Sequence, residues 1–103
     1  MCAYCERVVS PDTITMDHVT PRKGKTAYDR RDNLVLSCVS CNALKADQPF
    51  LAFLLGRRSR AGSLLRYGSH LSPMLLDLAR EIAGPEAAAR AERLADPDYP
   101  YLD

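Results

Sequence analysis

Two short β-prone runs mark the first half of the chain, and a helical periodicity organises the second. Ile14-Thr15-Met16-Asp17 and the alternating, branched run Asn33-Leu34-Val35-Leu36-Ser37 predict two strands. The segment between them, His18 to Asp32, holds Pro21, Gly24 and five Lys/Arg residues, the composition of an exposed loop shaped by turn chemistry. After the second strand, Ser40 is placed to cap a short helix through Asn42, Leu44 and Lys45. Pro49 suits the first turn of a helix carrying the apolar run 50–55, and Gly56 suits its end. Ser72-Pro73 opens another helix, on which Leu71, Leu75, Leu78 and Ile82 share a face until Gly84-Pro85 breaks it. A last helix is expected from Pro85 to Ala95, with Glu86 four residues before Arg90 as a surface pair. The segment from Asp96, with two prolines, is expected to be extended. The pattern divides the chain into a strand-bearing unit, 1–48, and a helical extension, 49–103, packing on it.

Composition changes this picture little. With 103 residues, 26% charged and 47% hydrophobic, the chain is ordinary globular material for one small core, and a bound metal would help staple it. The longest apolar run, Phe50 to Leu55, is far short of the roughly 20 residues a bilayer demands, so no membrane helix is expected. Met1-Cys2 is followed by mixed polar residues, so no secretory signal and an intracellular, cytoplasmic setting are expected. Met1 directly before the first cysteine would also suit a segment trimmed from a longer parent. Net charge is only +1, but residues 1–60 carry ten Lys/Arg against six acids and the remainder four against seven. That asymmetry hints at a half that faces a polyanion, and a solvated mixed surface would look the same.

The cysteines carry more information. Cys2-Ala3-Tyr4-Cys5 and Cys38-Val39-Ser40-Cys41 are two Cys-x-x-Cys knuckles, each able to turn two thiolates to one side. Together they offer a closed four-thiolate site of the kind zinc takes, and its binding energy would serve as folding energy. The spacer is longer than a simple ribbon allows, so the two strands must bring the pairs together. Two disulfides or a redox Cys-x-x-Cys are the alternatives, disfavoured by the setting and the lack of a βαβ pattern. A closed site cannot easily activate water, so catalysis would have to come from elsewhere.

Asp17-His18 ends the first strand, Asn33 opens the second, and Asn42 follows the last cysteine with Lys45 three residues on. In order, Cys-x-x-Cys, Asp-His-Val-x-Pro and Asn-Leu-x-x-x-Cys-x-x-Cys-Asn-x-x-Lys, the stretch Cys2 to Asp47 resembles the HNH endonucleases in their zinc-knuckle, asparagine-ended form. The resemblance implies an α+β fold of the ββα-metal type: a two-stranded antiparallel sheet and a helix around one divalent metal. It implies metal-dependent hydrolysis of DNA phosphodiesters leaving a 5′ phosphate. His18 would be the general base, a role imidazole suits near neutral pH. Asp17 and Asn42 would hold the catalytic ion, and Asn33 would orient the histidine by tying down its loop. Two oxygen ligands suit Mg²⁺ or Mn²⁺ better than a nitrogen-seeking metal.

Lys23, Lys25, Arg30 and Arg31 are candidates for contacting phosphates, with Arg22 beside them, and Lys45, one helical turn beyond Asn42, reads either as a further phosphate contact or as an exposed helix lysine. Arg57, Arg58 and Arg60 either extend that surface or simply solvate a helix end. Tyr4 and Tyr28 are expected to pack on the knuckles rather than stack on bases. His70, with no cysteine or carboxylate at ligand spacing, is expected to be non-catalytic. The rival reading is a zinc-bound nucleic-acid or protein adaptor that keeps the scaffold without cleaving; the intact Asp17, His18, Asn42 set favours the nuclease. Short phage-borne family members work beside packaging machinery, so the resemblance also implies a targeting or packaging protein as partner.

Overall fold

A computed structural model describes residues 1–20, 30–46 and 48–99. Strands β1 (Ile14–His18) and β2 (Leu34–Cys38) pair antiparallel, Ile14 opposite Cys38 and His18 opposite Leu34. Helix α1 (Val39–Lys45) follows β2 without a break and packs on both strands. This is the expected α+β core, two strands and a helix.

Two boundaries differ from the sequence reading. Asn33 does not open β2 but closes a 3-10 turn, Arg31–Asn33, because its N–H bonds Arg30 O and its amide is claimed by Thr20. The cap of α1 is not Ser40 but Cys38, whose Sγ accepts from the Cys41 N–H. Sulfur takes the place that a hydroxyl usually fills.

The second half folds into α2 (Phe50–Gly56), α3 (Ser59–Tyr67), α4 (Pro73–Ala83) and α5 (Pro85–Arg93). Pro49 is the residue before α2 rather than inside its first turn. Of the four, α3 has no forewarning in the residue pattern, since Gly62 and Ser63 are poor helix formers. Packing makes up for that weakness: Ala61, Leu64, Leu65 and Tyr67 are buried, and α3 lies against both α4 and α5. Arg58 is the cap of this helix and stays exposed, and Arg60, in its first turn, is half-buried. Arg60 donates to Phe53 O at 2.7 Å and lies 4.1 Å over the Phe53 ring, while Arg58 reaches Ile82 O. On α4, Leu75, Ala79 and Ile82 are fully buried and Leu78 only partly. Among the described residues, the ion pair that α5 makes is Glu92 with Arg80 of α4 rather than Glu86 with Arg90.

One apolar cluster runs through both halves, from Cys2, Tyr4, Val19 and Val35 to Phe53, Leu64 and Ile82. Polar bonds cross the same boundary. Ser72 N–H donates to Asp32 O, His70 Nε2 lies 2.7 Å from Leu34 O, and Glu6 takes bonds from Ser63 and Arg66 of α3. The segment after α5 is not merely extended. Tyr99 is fully buried and its hydroxyl donates to Met1 O and Leu36 O. Among the described residues, no helix is long and apolar enough to cross a membrane.

Between α3 and α4 the chain turns at Gly68, where a Cβ would lie 2.5 Å from Leu64 O and 2.7 Å from Leu71 Cδ1. A backbone oxygen cannot step aside as a side-chain tip can. Gly68→Ala is therefore expected to lower stability by about 1–3 kcal/mol, read from the urea midpoint. An unchanged midpoint would contradict the close approach.

Candidate active site and metal centre

The N-terminal knuckle is built by backbone bonds: Cys2 N–H donates to Arg7 O, Glu6 N–H to Cys2 O, and Ala3 N–H to Leu36 O on β2. Closing the loop puts Glu6 at φ 62°, a left-handed conformation that an L side chain adopts at some cost. The Glu6 carboxylate offsets this through its bonds to Ser63 and Arg66. The second knuckle is the β2–α1 junction itself.

Together the knuckles gather the Sγ atoms of Cys2, Cys5, Cys38 and Cys41 within 4.8 Å of one another. The Cys5–Cys38 separation of 3.8 Å matches the edge, about 3.8 Å, of a tetrahedron with 2.3 Å metal–sulfur bonds. All four are free thiols, so the disulfide alternative does not describe this arrangement. Backbone N–H groups of Tyr4 and Cys41 point at Cys2 Sγ and Cys38 Sγ, each at 3.4 Å, as suits sulfur carrying negative charge. Burial pushes the Cys2 and Cys41 thiols up. Burial acts on Cys5 in the same sense, but hydrogen bonds with Arg7, Cys2 and Cys41 together outweigh it and bring that thiol down to about 6. Cys5 ionises first. The four residues are placed to hold one metal ion.

A second group lies on the face of β1 turned toward α1. Strand alternation puts Thr15 and Asp17 on that face. Asn42, in the middle of α1, donates from Nδ2 to Thr15 Oγ1 at 3.2 Å, which brings it to the carboxylate's side of the sheet. Asp17 is buried, and its Oδ2 accepts from the Tyr4 hydroxyl at 2.6 Å and faces Lys45 Nζ at 3.5 Å. Lys45 also donates to His18 O at 2.9 Å. His18 is the last residue of β1, half-buried and next in sequence to Asp17 at the strand's exit.

This geometry coincides with a family relationship. Residues 2–48 match the family model described as HNH endonuclease. That segment belongs to the HNH endonuclease family. Over 49 residues the chain is 41% identical to a CRISPR-associated endonuclease Cas9 of Corynebacterium diphtheriae and 39% identical to one of Actinomyces naeslundii. Each alignment covers 48% of this chain and 4% of the relative, so the chain corresponds to a small part of those proteins. No solved structure matches.

Within the HNH segment, Asn33 is buried and clamps the residue two beyond His18: its Oδ1 accepts from Thr20 N–H at 2.8 Å and its Nδ2 donates to Thr20 O at 3.1 Å. Val19 N–H donates to Asn33 O. The strand exit that carries His18 is thereby fixed on three bonds.

Lys45 departs from its expected placement on an exposed helix face. It is 2% exposed, and its ammonium is turned inward to His18 O and Asp17. Arg30 and Arg31 are exposed, Arg30 pairing with Asp32 at 3.4 Å. Arg22, Lys23, Lys25 and Tyr28 lie outside the described residues.

Two residues of the site escape a sequence reading. Thr15 bridges Asn42 and Ser37 O, and only its position two residues before Asp17 could have placed it there. Tyr4 packs as expected, edge-on to Phe53 with centroids 4.9 Å apart, but its hydroxyl reaches the carboxylate as well. Burial, reinforced by the negative charge of Asp17, pushes that phenol well above its ordinary range, so it remains a donor.

His70 stands apart from this site. Its Nε2 donates to Leu34 O. Burial, aided by nearby Arg31 and opposed by the Leu34 bond and Asp32, lowers its pKa. The unfolded chain, where histidine titrates near about 6.5, then binds the proton more readily than the folded one. Stability is expected to be full above that pH and to fall as pH drops through it. His70→Gln should flatten this part of the urea-midpoint profile, and an identical slope in both proteins would contradict the assignment.

Proposed function

We propose that this chain carries a metal-dependent HNH nuclease centre that hydrolyses DNA phosphodiester bonds, with a structural zinc at Cys2, Cys5, Cys38 and Cys41. The observation that carries the reading is the convergence of Asp17 and Asn42, from β1 and α1, on one face beside the strand end that bears His18. Their donor set, one carboxylate oxygen and one neutral amide oxygen, fits Mg²⁺ or Mn²⁺. Such an ion, when bound, supplies charge neutralisation on the scissile phosphate and on the leaving oxygen.

The chain's own residues do the rest. His18 takes the proton of the attacking water, held for that purpose by the Thr20–Asn33 clamp behind it. Thr15 holds the Asn42 amide by its nitrogen, so the amide oxygen is the atom this residue would offer an ion. Lys45 fixes the carbonyl of His18 and balances Asp17. Arg30 and Arg31, with the basic residues that precede them in the chain, draw the DNA backbone electrostatically, so binding should weaken steeply with salt. The relatives are endonucleases, which supports the same reading. A partner that supplies targeting is consistent with so small a core, which offers few groups for reading bases.

The test is cleavage of supercoiled plasmid by the zinc-loaded protein with Mg²⁺ or Mn²⁺. Nicked or linear product with either ion is the expected result. Activity with nickel or zinc alone and none with magnesium would overturn the metal assignment.

A further inference from the structure

We propose that Tyr4 is a positioning residue through which the cysteine-bound metal sets the affinity of Asp17 for the catalytic ion, an inference that rests on the nuclease reading above. Tyr4 lies inside the first knuckle, between two of the four sulfur ligands. Its own N–H points at Cys2 Sγ, and the preceding residue is pinned to β2 through Leu36 O. At the other end its ring is wedged edge-on against Phe53, so the phenol is held along its whole length.

The 2.6 Å bond from this fixed hydroxyl lands on Asp17 Oδ2, the same oxygen that Lys45 faces. Neither contact uses Oδ1. An aspartate left to itself swings broadly about its last torsion. Here a donor and a cation on one oxygen lock the plane and leave the other oxygen as the ligand. Partners of this kind behind a metal ligand typically govern affinity by about 10–100-fold. What distinguishes this one is its address: the tether is part of the other metal's loop. Order in the sulfur site is thereby passed to the oxygen site through a single side chain.

The experiment is a Mn²⁺ titration of the zinc-loaded full chain, following free Mn²⁺ by electron paramagnetic resonance. Wild type, Tyr4→Phe and Asp17→Ala are compared, with zinc per chain measured on each. Phenylalanine keeps the ring packed on Phe53 and removes only the hydroxyl. Tyr4→Phe is expected to retain its zinc and weaken Mn²⁺ binding by about tenfold or more, and Asp17→Ala to abolish it. A residue that merely filled the core would leave Mn²⁺ affinity untouched, so equal affinity in Tyr4→Phe and wild type overturns the tether while the nuclease reading stands. Absence of any Asp17-dependent Mn²⁺ site in the wild type overturns both. If Tyr4→Phe loses zinc on purification, the test passes to the ultraviolet tyrosine band, which no tryptophan obscures. Mg²⁺ should shift that band in a Tyr28→Phe background as in wild type, and no shift at saturating Mg²⁺ overturns the tether.

Discussion

Stripping the ion from the four-cysteine site, with a strong chelator at mildly acidic pH, is expected to unfold the protein as a whole. Binding of structural zinc to a four-ligand site is worth about 10–16 kcal/mol at neutral pH, against total stabilities of about 5–15 kcal/mol for ordinary domains. The apolar cluster explains why the loss should not stop at the knuckles. Cys2, Cys38 and Cys41 are themselves part of it, continuous with Phe53 and Leu64 of the helical half. Without an ion, burial holds the Cys2 and Cys41 thiols neutral, whereas Cys5 ionises from about pH 6 upward. Metal uptake must therefore expel protons and should weaken with acid. Circular dichroism and melting before and after stripping, beside Cys41→Ala, provide the check, with one zinc per chain expected in the untreated protein. A stripped protein that keeps its helical signal and a cooperative melt would refute the role given to the ion.

Replacing His18 with alanine is expected to reduce plasmid cleavage by about 10²–10⁴-fold, the usual contribution of a positioned general base. The fold should survive. His18 ends β1, and the clamp that holds the exit acts on Thr20 and on backbone atoms rather than on the imidazole. Zinc content and melting temperature should thus stay near wild type while the rate collapses. Wild-type cleavage by His18→Ala would transfer the base to another group, and no cleavage by either protein across several metals would favour the non-catalytic adaptor.

How much of this could be read from residues alone depended on the range of the interaction. The knuckles, both strands and α1 were legible because spacing and alternation are local signals, and the order of cysteines, Asp17-His18 and Asn42 pointed to the candidate site. Helix α3 was not, because its stability comes from Leu64 and Leu65 burying against α4 and α5 rather than from helix-forming residues near Gly62. The inward turn of Lys45 follows from a buried carboxylate on a neighbouring strand, which nothing in Asn-x-x-Lys announces. Tyr99 looked like part of an extended tail because its partners, Met1 O and Leu36 O, are 98 and 63 residues away. Cys38 as a helix cap was hidden by the habit of expecting oxygen in that place.

The lysine behind Asp17 sets the proposed oxygen-ligand site apart in kind from the cysteine site. The sulfur cluster gathers four thiols against a single arginine, Arg7 beside Cys5, so an ion held there would be a component of the folded molecule. The buried carboxylate already has an ammonium for company, so the protein can be complete before any hard cation arrives. One ion would then behave as a rivet and the other as a visitor. Gentle dialysis against a weak chelator should empty the second site reversibly while the first stays filled.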